Sequence, residues 1–341
     1  VPVDFSFRSI VADSTDSLNS SNKMLSNVVT EVILQKDSVV WLGTGLGVSV
    51  IRDSLTVETL PDTTIHVGDP SGAHTNRVPQ GGISAMAVSG QGSVMLIAVA
   101  GSENDIPVGK GVAYTENATD DNVINWKYYN QPIDEGEGDT ILPPFGRLGL
   151  IAALPITVEQ ANVTYDIAFS DLCCDGSEII TFAFIASWAG GLRRYKPADS
   201  TWVRIPVPED DQFELITCAD SSYETNSNGQ RVLKNFYYNP RDPIDGGNHN
   251  HKTFSVLVYS DTIWVGTANG INRGIINPNV NTNYCINWEH YSYPTHGLSG
   301  NFVVGLALQM YKGKRVIWAA TVNADDPTEQ RGVSYTTNDG L

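Results

Sequence analysis

The residues best suited to binding chemistry lie together in one polar stretch of the chain. Asp242, Asp245, His249 and His251 follow one another among Gly, Asn and Pro residues. Imidazole nitrogens and carboxylate oxygens are ligands for divalent metals, and alternate side chains of an extended segment point the same way. The stretch therefore predicts a ligand-binding rim, with His249 and His251 as metal ligands. The alternative is a polar loop that turns at its Asp-Gly-Gly.

Two acidic turns are further candidates for a cation. Residues 209–211 read Glu-Asp-Asp and residues 120–122 read Asp-Asp-Asn. Carboxylate and amide oxygens are the ligands that calcium prefers, although an acidic run is more often a solvated surface. The only cofactor that the sequence suggests is a divalent cation such as calcium.

Candidates for catalysis are less specific. Glycoside hydrolysis needs two carboxylates that face one cleft, and Asp166, Glu214 and Asp220 are three of 38 acidic residues. The Arg-Ile-Pro at 204–206 is similar to a sialidase motif but lies mid-chain beside a Trp, where that motif is not expected. The chain contains no Gly-x-Ser-x-Gly, phosphate-loop or His-Glu-x-x-His motif. No catalytic residue can be named.

The overall charge limits the class of partner. The chain has 341 residues and a formal net charge of −17, with 41% hydrophobic residues. A field of this sign repels phosphate backbones, so we expect no nucleic-acid partner. No run of about 18 apolar residues is present, so we expect no membrane insertion. A protein or a glycan remains as the expected partner.

The elements that must position these residues are strands. Short runs rich in Val, Ile, Thr, Tyr and Trp alternate with Gly, Asn, Asp and Pro, for example at 39–42, 179–185, 254–259 and 316–320. Helical periodicity is hard to find over any long window. The pattern predicts an all-β protein.

Internal repeats indicate the architecture. Trp-Leu-Gly-Thr at 41–44 and Trp-Val-Gly-Thr at 264–267 each end a strand, and each is followed by a Gly-closed turn and a second apolar strand. Weaker copies occur near 94–114, 185–195 and 316–335. A four-stranded meander cannot bury both of its faces alone, whereas blades stacked around an axis can. The repeat predicts a β-propeller with the Trp residues packed between blades.

These motifs resemble the propeller repeat of bacterial two-component-regulator sensors. The stretches beginning Tyr-Thr at 114 and at 335 look like the Asp-box hairpins of sialidase-like and sortilin-like propellers, with Asn338 in the usual Asp position. The resemblance implies a propeller fold and says little about activity.

We count five blades of four strands, and the spacing is also compatible with six or seven. The predicted blades cover 28–65, 82–130, 148–207, 212–294 and 299–341. The fifth lacks a Trp-bearing outer strand, which either residues 3–10 or a continuation beyond residue 341 would supply. Residues 1–341 are expected to form a single propeller domain, or part of a longer chain.

Two functions are compatible with this architecture. The first is a secreted ligand-, glycan- or protein-binding module, and the alternative is a secreted carbohydrate-active enzyme with its site in the central funnel. The absence of a start Met, the acidic balance and the scarcity of Lys favour an extracellular or periplasmic location. We expect the ligand at the rim formed by insertions at 156–178 and 219–252, since long loops on rigid scaffolds carry binding sites.

The four cysteines allow three pairings. Cys173 and Cys174 are expected in the turn after the first strand of the third blade, and Cys218 at the end of the first strand of the fourth. Both positions lie on one face of a propeller. A bridge from Cys173 or Cys174 to Cys218 is therefore one expectation, and free thiols are the other.

Overall fold

The described chain is built almost entirely of antiparallel β-strands. A computed structural model describes residues 26, 28–35, 39–51, 57–59, 62–63, 74–75, 78–79, 81–118, 126–129, 163–173, 179–188, 190–199, 201–227, 229, 231–238, 240, 247–278, 284–322 and 331–338. Within these ranges no helix is long and apolar enough to cross a membrane.

The first two blades follow the predicted order of strands. Blade 1 consists of β1 (Val29–Gln35), β2 (Val39–Thr44), β3 (Gly47–Ile51) and β4 (Val57–Thr59). A short parallel pair follows, formed by β5 (Asp62–Thr63) and β7 (Val78–Pro79). Blade 2 consists of β8 (Gly82–Val88), β9 (Met95–Glu103), β10 (Ile106–Thr115) and β11 (Trp126–Tyr129), with β6 (His74–Thr75) at its outer edge.

The remaining blades carry the long insertion. Blade 3 consists of β12 (Thr164–Cys173), β13 (Ile179–Ser187), β14 (Gly191–Lys196) and β15 (Thr201–Arg204). The segment between β15 and blade 4, which includes the insertion at 219–252, contributes β16 (Glu214–Leu215) and the hairpin of β17 (Tyr223–Thr225) and β18 (Arg231–Leu233). Blade 4 consists of β19 (Thr253–Tyr259), β20 (Thr262–Thr267), β21 (Gly270–Ile276) and β22 (Ile286–Tyr291), with β16 at its edge. Blade 5 consists of β23 (Phe302–Tyr311), β24 (Lys314–Val322) and β25 (Gly332–Thr336).

The five sheets form a five-bladed β-propeller, which confirms the predicted fold class. Each innermost strand has a break in register near its start, at Val29/Glu31, Ile83/Ala85, Thr164/Asp166, Thr253/Ser255 and Val303/Gly305. A β-bulge bends a strand and increases its twist. The same device therefore recurs in every blade where the strands converge on the axis.

The Trp residues of the repeat pack against the next blade, as the sequence predicts. Trp41 is fully buried in a cluster with Ile83 of blade 2, and Trp264 is buried in a cluster with Val303 of blade 5. The Gly two residues after each Trp allows the neighbouring blade to approach closely. A Cβ at Gly43 would lie 2.8 Å from Ile83 Cγ2, and one at Gly266 would lie 2.8 Å from Val303 Cγ1.

The Thr of the repeat closes the turn between the second and third strands. Thr44 Oγ1 donates to the Gly47 carbonyl at 2.8 Å and accepts the Leu46 N–H at 3.2 Å. Thr267 Oγ1 makes the same bond to the Gly270 carbonyl at 3.1 Å. Both glycines have positive φ, at 128° and 101°, a conformation that favours glycine. The motif is thus a local turn signal.

The two stretches that resemble Asp-box hairpins share one turn geometry. Thr115 Oγ1 donates to Asn117 Oδ1 at 2.6 Å, and Thr336 Oγ1 donates to Asn338 Oδ1 at 2.6 Å. In both, the backbone N–H of the Asn donates back to the Thr hydroxyl. The structure therefore places these two turns at equivalent ends of the third strands of blades 2 and 5.

The predicted assignment of strands to blades 3 and 4 is wrong. Residues 164–173, expected within an insertion, form the innermost strand of blade 3. Residues 213–218, expected as the first strand of blade 4, provide only β16 at the outer edge of that blade. The insertion at 219–252 therefore precedes the first strand of blade 4 and does not follow it.

The expected cysteine pairing is also wrong, because Cys218 is bonded to Cys285. This bridge joins the insertion to the residue before β22. Thr217 strengthens the same junction, since its hydroxyl donates to the Ile286 carbonyl at 2.7 Å and accepts the Ile286 N–H at 3.1 Å.

Four apolar clusters join consecutive blades from 1 to 5, and among the described residues none joins blade 5 to blade 1. Val32 of blade 1 and Val333 of blade 5 are 59% and 64% exposed. Residues 3–10, expected to complete blade 5, lie outside the described residues.

Candidate functional site

A cavity of about 260 Å³ lies between blades 4 and 5. Its walls come from three strands of blade 4, two strands of blade 5, the loop after β22 and the turn after β25. The lining residues are Trp264, Ile271, Tyr291, His296, Gly297, Leu298, Ile317, Ala319, Ser334, Tyr335, Thr336 and Asn338. Pockets that combine aromatic walls with a few polar groups are typical of small-molecule sites.

The wall from blade 4 is aromatic and uncharged. Tyr291 ends β22, and its hydroxyl donates to Glu289 Oε2 at 2.7 Å. Burial, and then this hydrogen bond, raise the pKa of Tyr291 to about 12, so the phenol is neutral at physiological pH. Arg273 Nη1 donates to the same carboxylate oxygen at 3.0 Å. The Tyr291 oxygen is left as an acceptor.

The loop after β22 supplies His296 at the rim of the cavity. Its backbone N–H donates to the Ser292 carbonyl at 2.9 Å, and its Nδ1 accepts the Ser292 N–H at 3.0 Å. The neutral imidazole therefore carries its proton on Nε2. The ring lies edge-on to Tyr291, with centroids 5.4 Å apart.

The wall from blade 5 presents small polar groups. Ser334 Oγ accepts the Ser299 N–H at 2.9 Å. Asn338 Oδ1 accepts from Thr336, so the amide nitrogen of Asn338 is its outward polar group. Tyr335 is 65% exposed and stacks at a tilt on Trp318. The described lining of the cavity contains no carboxylate.

Trp264 is the most informative residue of the lining. It is 2% exposed, and its indole N–H has no hydrogen-bond acceptor within the described chain. The equivalent Trp41 donates to Gln35 at 2.7 Å, and Trp318 donates to Gln309 at 3.0 Å. Blade 4 has Tyr259 where blades 1 and 5 have that Gln. A buried donor without an acceptor is costly, and this one is also inaccessible to solvent.

This difference predicts unequal costs for the same substitution. Trp41→Phe removes the donor to Gln35, whereas Trp264→Phe removes a donor that has no acceptor. The loss of ring volume is the same in both, so we expect Trp41→Phe to destabilise by about 1–3 kcal/mol more. Urea unfolding of both variants measures the difference. Equal losses would contradict an unpaired Trp264 N–H.

The rim predicted from sequence is only partly described. Asp242 and Asp245 lie outside the described residues. His249–His251 forms a 3-10 turn and not an extended segment, so the reason for expecting parallel histidines does not hold. His251 is fully buried and stacks on Tyr238 at 5.0 Å, whereas His249 is exposed with its Nδ1 3.5 Å from Asp210 Oδ2.

The acidic turn at 209–211 supports the fold. Asp210 accepts the backbone N–H groups of His249 at 2.9 Å and Asn250 at 2.6 Å, and Glu209 accepts the Tyr237 N–H at 2.7 Å. Within the described ranges, no three His, Cys, Asp or Glu side chains are grouped so that they could hold a metal ion. The turn at 120–122 lies outside those ranges.

The three candidate catalytic acids have separate environments. Asp166 lies on the innermost strand of blade 3 and accepts from Ser255 of blade 4 at 2.8 Å. Glu214 lies on the edge strand β16, and Asp220 pairs with Arg231 on the surface at 2.8 Å. Burial raises the pKa of Asp166, as it does for Glu31.

Sequence reasoning missed the cavity, whose walls are 74 residues apart at their extremes, from Trp264 to Asn338. One exception in the repeat was visible, but it concerns the partner of the Trp264 N–H and not the cavity. The repeat places Gln six residues before Trp41 and nine before Trp318, at paired register positions, and the matching position in blade 4 is Tyr259. Because Tyr259 replaces that Gln in blade 4, the indole N–H of Trp264 has no acceptor among the described residues.

His290, which precedes Tyr291 on β22, predicts a pH dependence of stability. Its Nδ1 lies 3.0 Å from Asn272 Oδ1, which can only accept, so the neutral ring carries its proton on Nδ1. Burial lowers the pKa of His290 to about 4, and nearby Asp210 opposes this shift while His296 adds to it. In the unfolded chain His290 is therefore protonated below about pH 6.5, whereas in the folded chain it stays neutral down to about pH 4.

The contribution of neutral His290 to the free energy of unfolding is therefore fully present above about pH 6.5. It is lost as the pH falls towards 4. Between pH 8 and pH 5 we expect His290 to cost about 2 kcal/mol of unfolding free energy. His290→Gln keeps an amide donor and cannot titrate, so its stability should fall by about that much less. Parallel stability curves for the two proteins would exclude this assignment.

Comparisons with known proteins show similarity only to solved structures. No protein-family model matches the chain, and no curated protein matches it. The extracellular domain of the hybrid two-component system BT3049 from B. thetaiotaomicron is 15% identical, over 95% of this chain and 35% of that one, with a TM-score of 0.38. The chain thus spans about a third of the length of that protein.

Two further solved structures have a similar extent of match. The β-propeller domain of Cps50 (Swd1) from Myceliophteria thermophila is 12% identical over 94% of this chain and 74% of that one, with a TM-score of 0.42. The computationally designed Ika8 protein is 11% identical over 86% of this chain and 68% of that one, with a TM-score of 0.34.

Proposed function

We propose that this propeller is a glycan-binding module whose ligand occupies the cavity between blades 4 and 5. The observation that carries the proposal is the lining itself, in which Tyr291 and Tyr335 supply aromatic surface beside neutral polar groups. Sugar rings have apolar faces that pack on aromatic rings and polar edges that need hydrogen bonds. The cavity volume suits about one or two sugar rings.

Binding without hydrolysis is favoured by the charge of the lining. A glycosidase of the common kind places two carboxylates on either side of the scissile bond, and the described lining has none. Asp166, the buried acid on the inner strands, is held by Ser255 and by two backbone N–H groups. We therefore place the enzyme alternative second.

The rim predicted from sequence extends this proposal. Asn269 at the turn of blade 4 donates to Asp210, and the neighbouring Gly270 N–H donates to Asn301 in the segment beside the cavity. His249, which Asp210 also holds, therefore belongs to the same face of the blade. We propose that His249, with Asp242 and Asp245, contacts the outer part of a longer glycan, and that His251 supports the fold.

Export from the cell is the location that fits this function. The Cys218–Cys285 bond is the kind of bond that forms and persists in oxidising compartments. We therefore keep the proposal of an extracellular or periplasmic protein. Expression in a reducing cytosol should yield protein with both thiols free.

The direct experiment is an array of neutral and acidic oligosaccharides probed with the labelled protein. The strongest soluble hit is then titrated by calorimetry against the wild type and two variants. Tyr335→Ala, which removes exposed aromatic surface from the lining, should weaken binding about tenfold, or by about 1.4 kcal/mol. Tyr311→Ala, at an exposed Tyr of the same blade that is not among the lining residues, should not change it. An array without hits, or equal affinity for all three proteins, would overturn the proposal.

A further inference from the structure

Phe213 is the most exposed large apolar side chain of the described residues, at 68%. Its ring lies edge-on to His296, with centroids 6.5 Å apart, and the ring of His296 lies edge-on to Tyr291 at 5.4 Å. His296 and Tyr291 both line the cavity. The three rings of Tyr291, His296 and Phe213 therefore form an aromatic strip that leads from the cavity to the outer edge of blade 4.

The main chain on both sides of Phe213 is fixed. The Phe213 carbonyl accepts the His290 N–H at 2.8 Å, and Glu214 pairs with β22. On the other side, Gln212 closes a turn, since its side chain accepts the Glu209 N–H at 3.1 Å. A single exposed apolar residue is common on protein surfaces, but this one is held beside a cavity by ordered backbone. A ligand that packs on it has no loop to order, which preserves affinity.

The charges beside the aromatic strip favour a neutral ligand. Glu214 and Glu289 lie opposite each other on β16 and β22, and both are exposed. Arg273 pairs with Glu289 at 3.0 Å and so offsets one of the two carboxylates. A chain of carboxylates or sulfates would meet like charge here, and the net charge of −17 acts in the same sense. A neutral sugar chain meets no such repulsion.

We infer that the ligand is a neutral, linear oligosaccharide of the β-1,4-linked glucose type, and that Phe213 holds a sugar unit outside the cavity. In such a chain every ring substituent is equatorial, so each ring has two flat apolar faces that suit successive aromatic rings. Phe213 belongs to the segment in which Asp210 accepts the His249 N–H at 2.9 Å, so the strip ends near the proposed rim. This inference rests on the proposed function, because it assigns the class and the length of the ligand of the same cavity.

The test is a calorimetric titration with β-1,4-linked glucose oligomers, from the disaccharide to the hexasaccharide. The cavity accommodates the disaccharide, so only the longer oligomers reach Phe213. We expect the affinity to rise about tenfold between the disaccharide and the tetrasaccharide, the contribution of one stacked aromatic ring. Phe213→Ala should remove this gain and leave the affinity for the disaccharide within about twofold of the wild type.

Two further variants separate the ring of Phe213 from general effects on the surface. Phe213→Trp keeps an aromatic face and should retain the gain, and so should Tyr311→Ala, at an exposed Tyr outside the lining. All three positions of change are exposed, so urea unfolding should give the wild-type midpoint.

The outcomes distinguish this inference from the proposed function. If the wild type binds short and long oligomers equally, or if Phe213→Ala retains the gain, the inference is overturned and the cavity remains the proposed glycan site. If no oligomer of the series binds, the inference is also overturned, and the oligosaccharide array then decides whether the proposed function stands.

Discussion

Replacing Cys218 and Cys285 together with serine is expected to lower the free energy of unfolding by about 4 kcal/mol. The bond closes a loop across a sequence separation of 67 residues, and a cross-link of that length removes about this much chain entropy from the unfolded state. It also fixes the insertion against the outer strand of blade 4, which carries His290 and Tyr291. Chemical denaturation at equilibrium measures the loss.

The control for this prediction is a reductant. Dithiothreitol should destabilise the wild type by about the same amount as the double substitution and should leave the double variant unchanged. Cys173 and Cys174 remain in that variant, so any further effect of reductant would show a second bond. A variant as stable as the wild type would contradict the Cys218–Cys285 pairing.

Asp166→Ala should be the most damaging single substitution on the inner strands. Asp166 Oδ2 accepts from the Ser255 hydroxyl and the Val256 N–H, both at 2.8 Å, and Oδ1 accepts the Ile167 N–H at 2.8 Å. Two of these donors belong to blade 4, so the carboxylate ties it to blade 3. Loss of an acceptor for partly buried donors costs about 1–3 kcal/mol each, and we expect about 3 kcal/mol in total.

Asp171→Ala is the matched control, since Asp171 lies on the same strand. It accepts from Thr181 at 2.6 Å and from the exposed Gly90 N–H at 3.1 Å, where water can replace the lost acceptor. We expect a loss of about 1 kcal/mol or less. Asp166→Asn should recover part of the stability, because its amide oxygen still accepts. Equal losses at Asp166 and Asp171 would show that the link between blades 3 and 4 is unimportant.

The repeat was readable from sequence because its signals are local. A Trp, a Gly and a turn-closing Thr within four residues are each required by contacts one strand or one blade away, such as Gly43 against Ile83. Blades 1, 2 and 5 follow the predicted order of strands. The fold class followed from the repeat and from the absence of helical periodicity.

The predicted strand assignment of blades 3 and 4 was wrong because apolar content does not identify the inner strands there. The innermost strand β12 carries Asp166, Ser170 and Asp171 and so does not read as a buried strand, yet Asp166 is satisfied by the neighbouring blade. The apolar residues at 213–218 instead support an edge strand, where Phe213 is 68% exposed. Alternation alone could not separate these cases, because the hydrogen bonds that decide them come from distant residues.

The cysteine pairing and the buried histidine failed for a related reason. Cys285 reaches Cys218 only because β22 and β16 pair at the outer edge of blade 4. His251 is buried because Phe236 and Tyr238 of the insertion fold over it. Neither contact leaves a periodic signal, so both depend on the tertiary path of an irregular segment.

The cavity as the ligand site is the central claim, and the indole N–H resonances test it most directly. The chain has seven Trp residues, and a ¹⁵N-Trp spectrum resolves each indole, with Trp264→Phe and Trp41→Phe giving two assignments. On titration with the strongest soluble oligosaccharide from the array, the Trp264 resonance should move because the ligand lies beside this lining residue, and the resonance of Trp41, which is not among the lining residues, should stay. A Trp264 resonance that does not move at saturation would contradict the account.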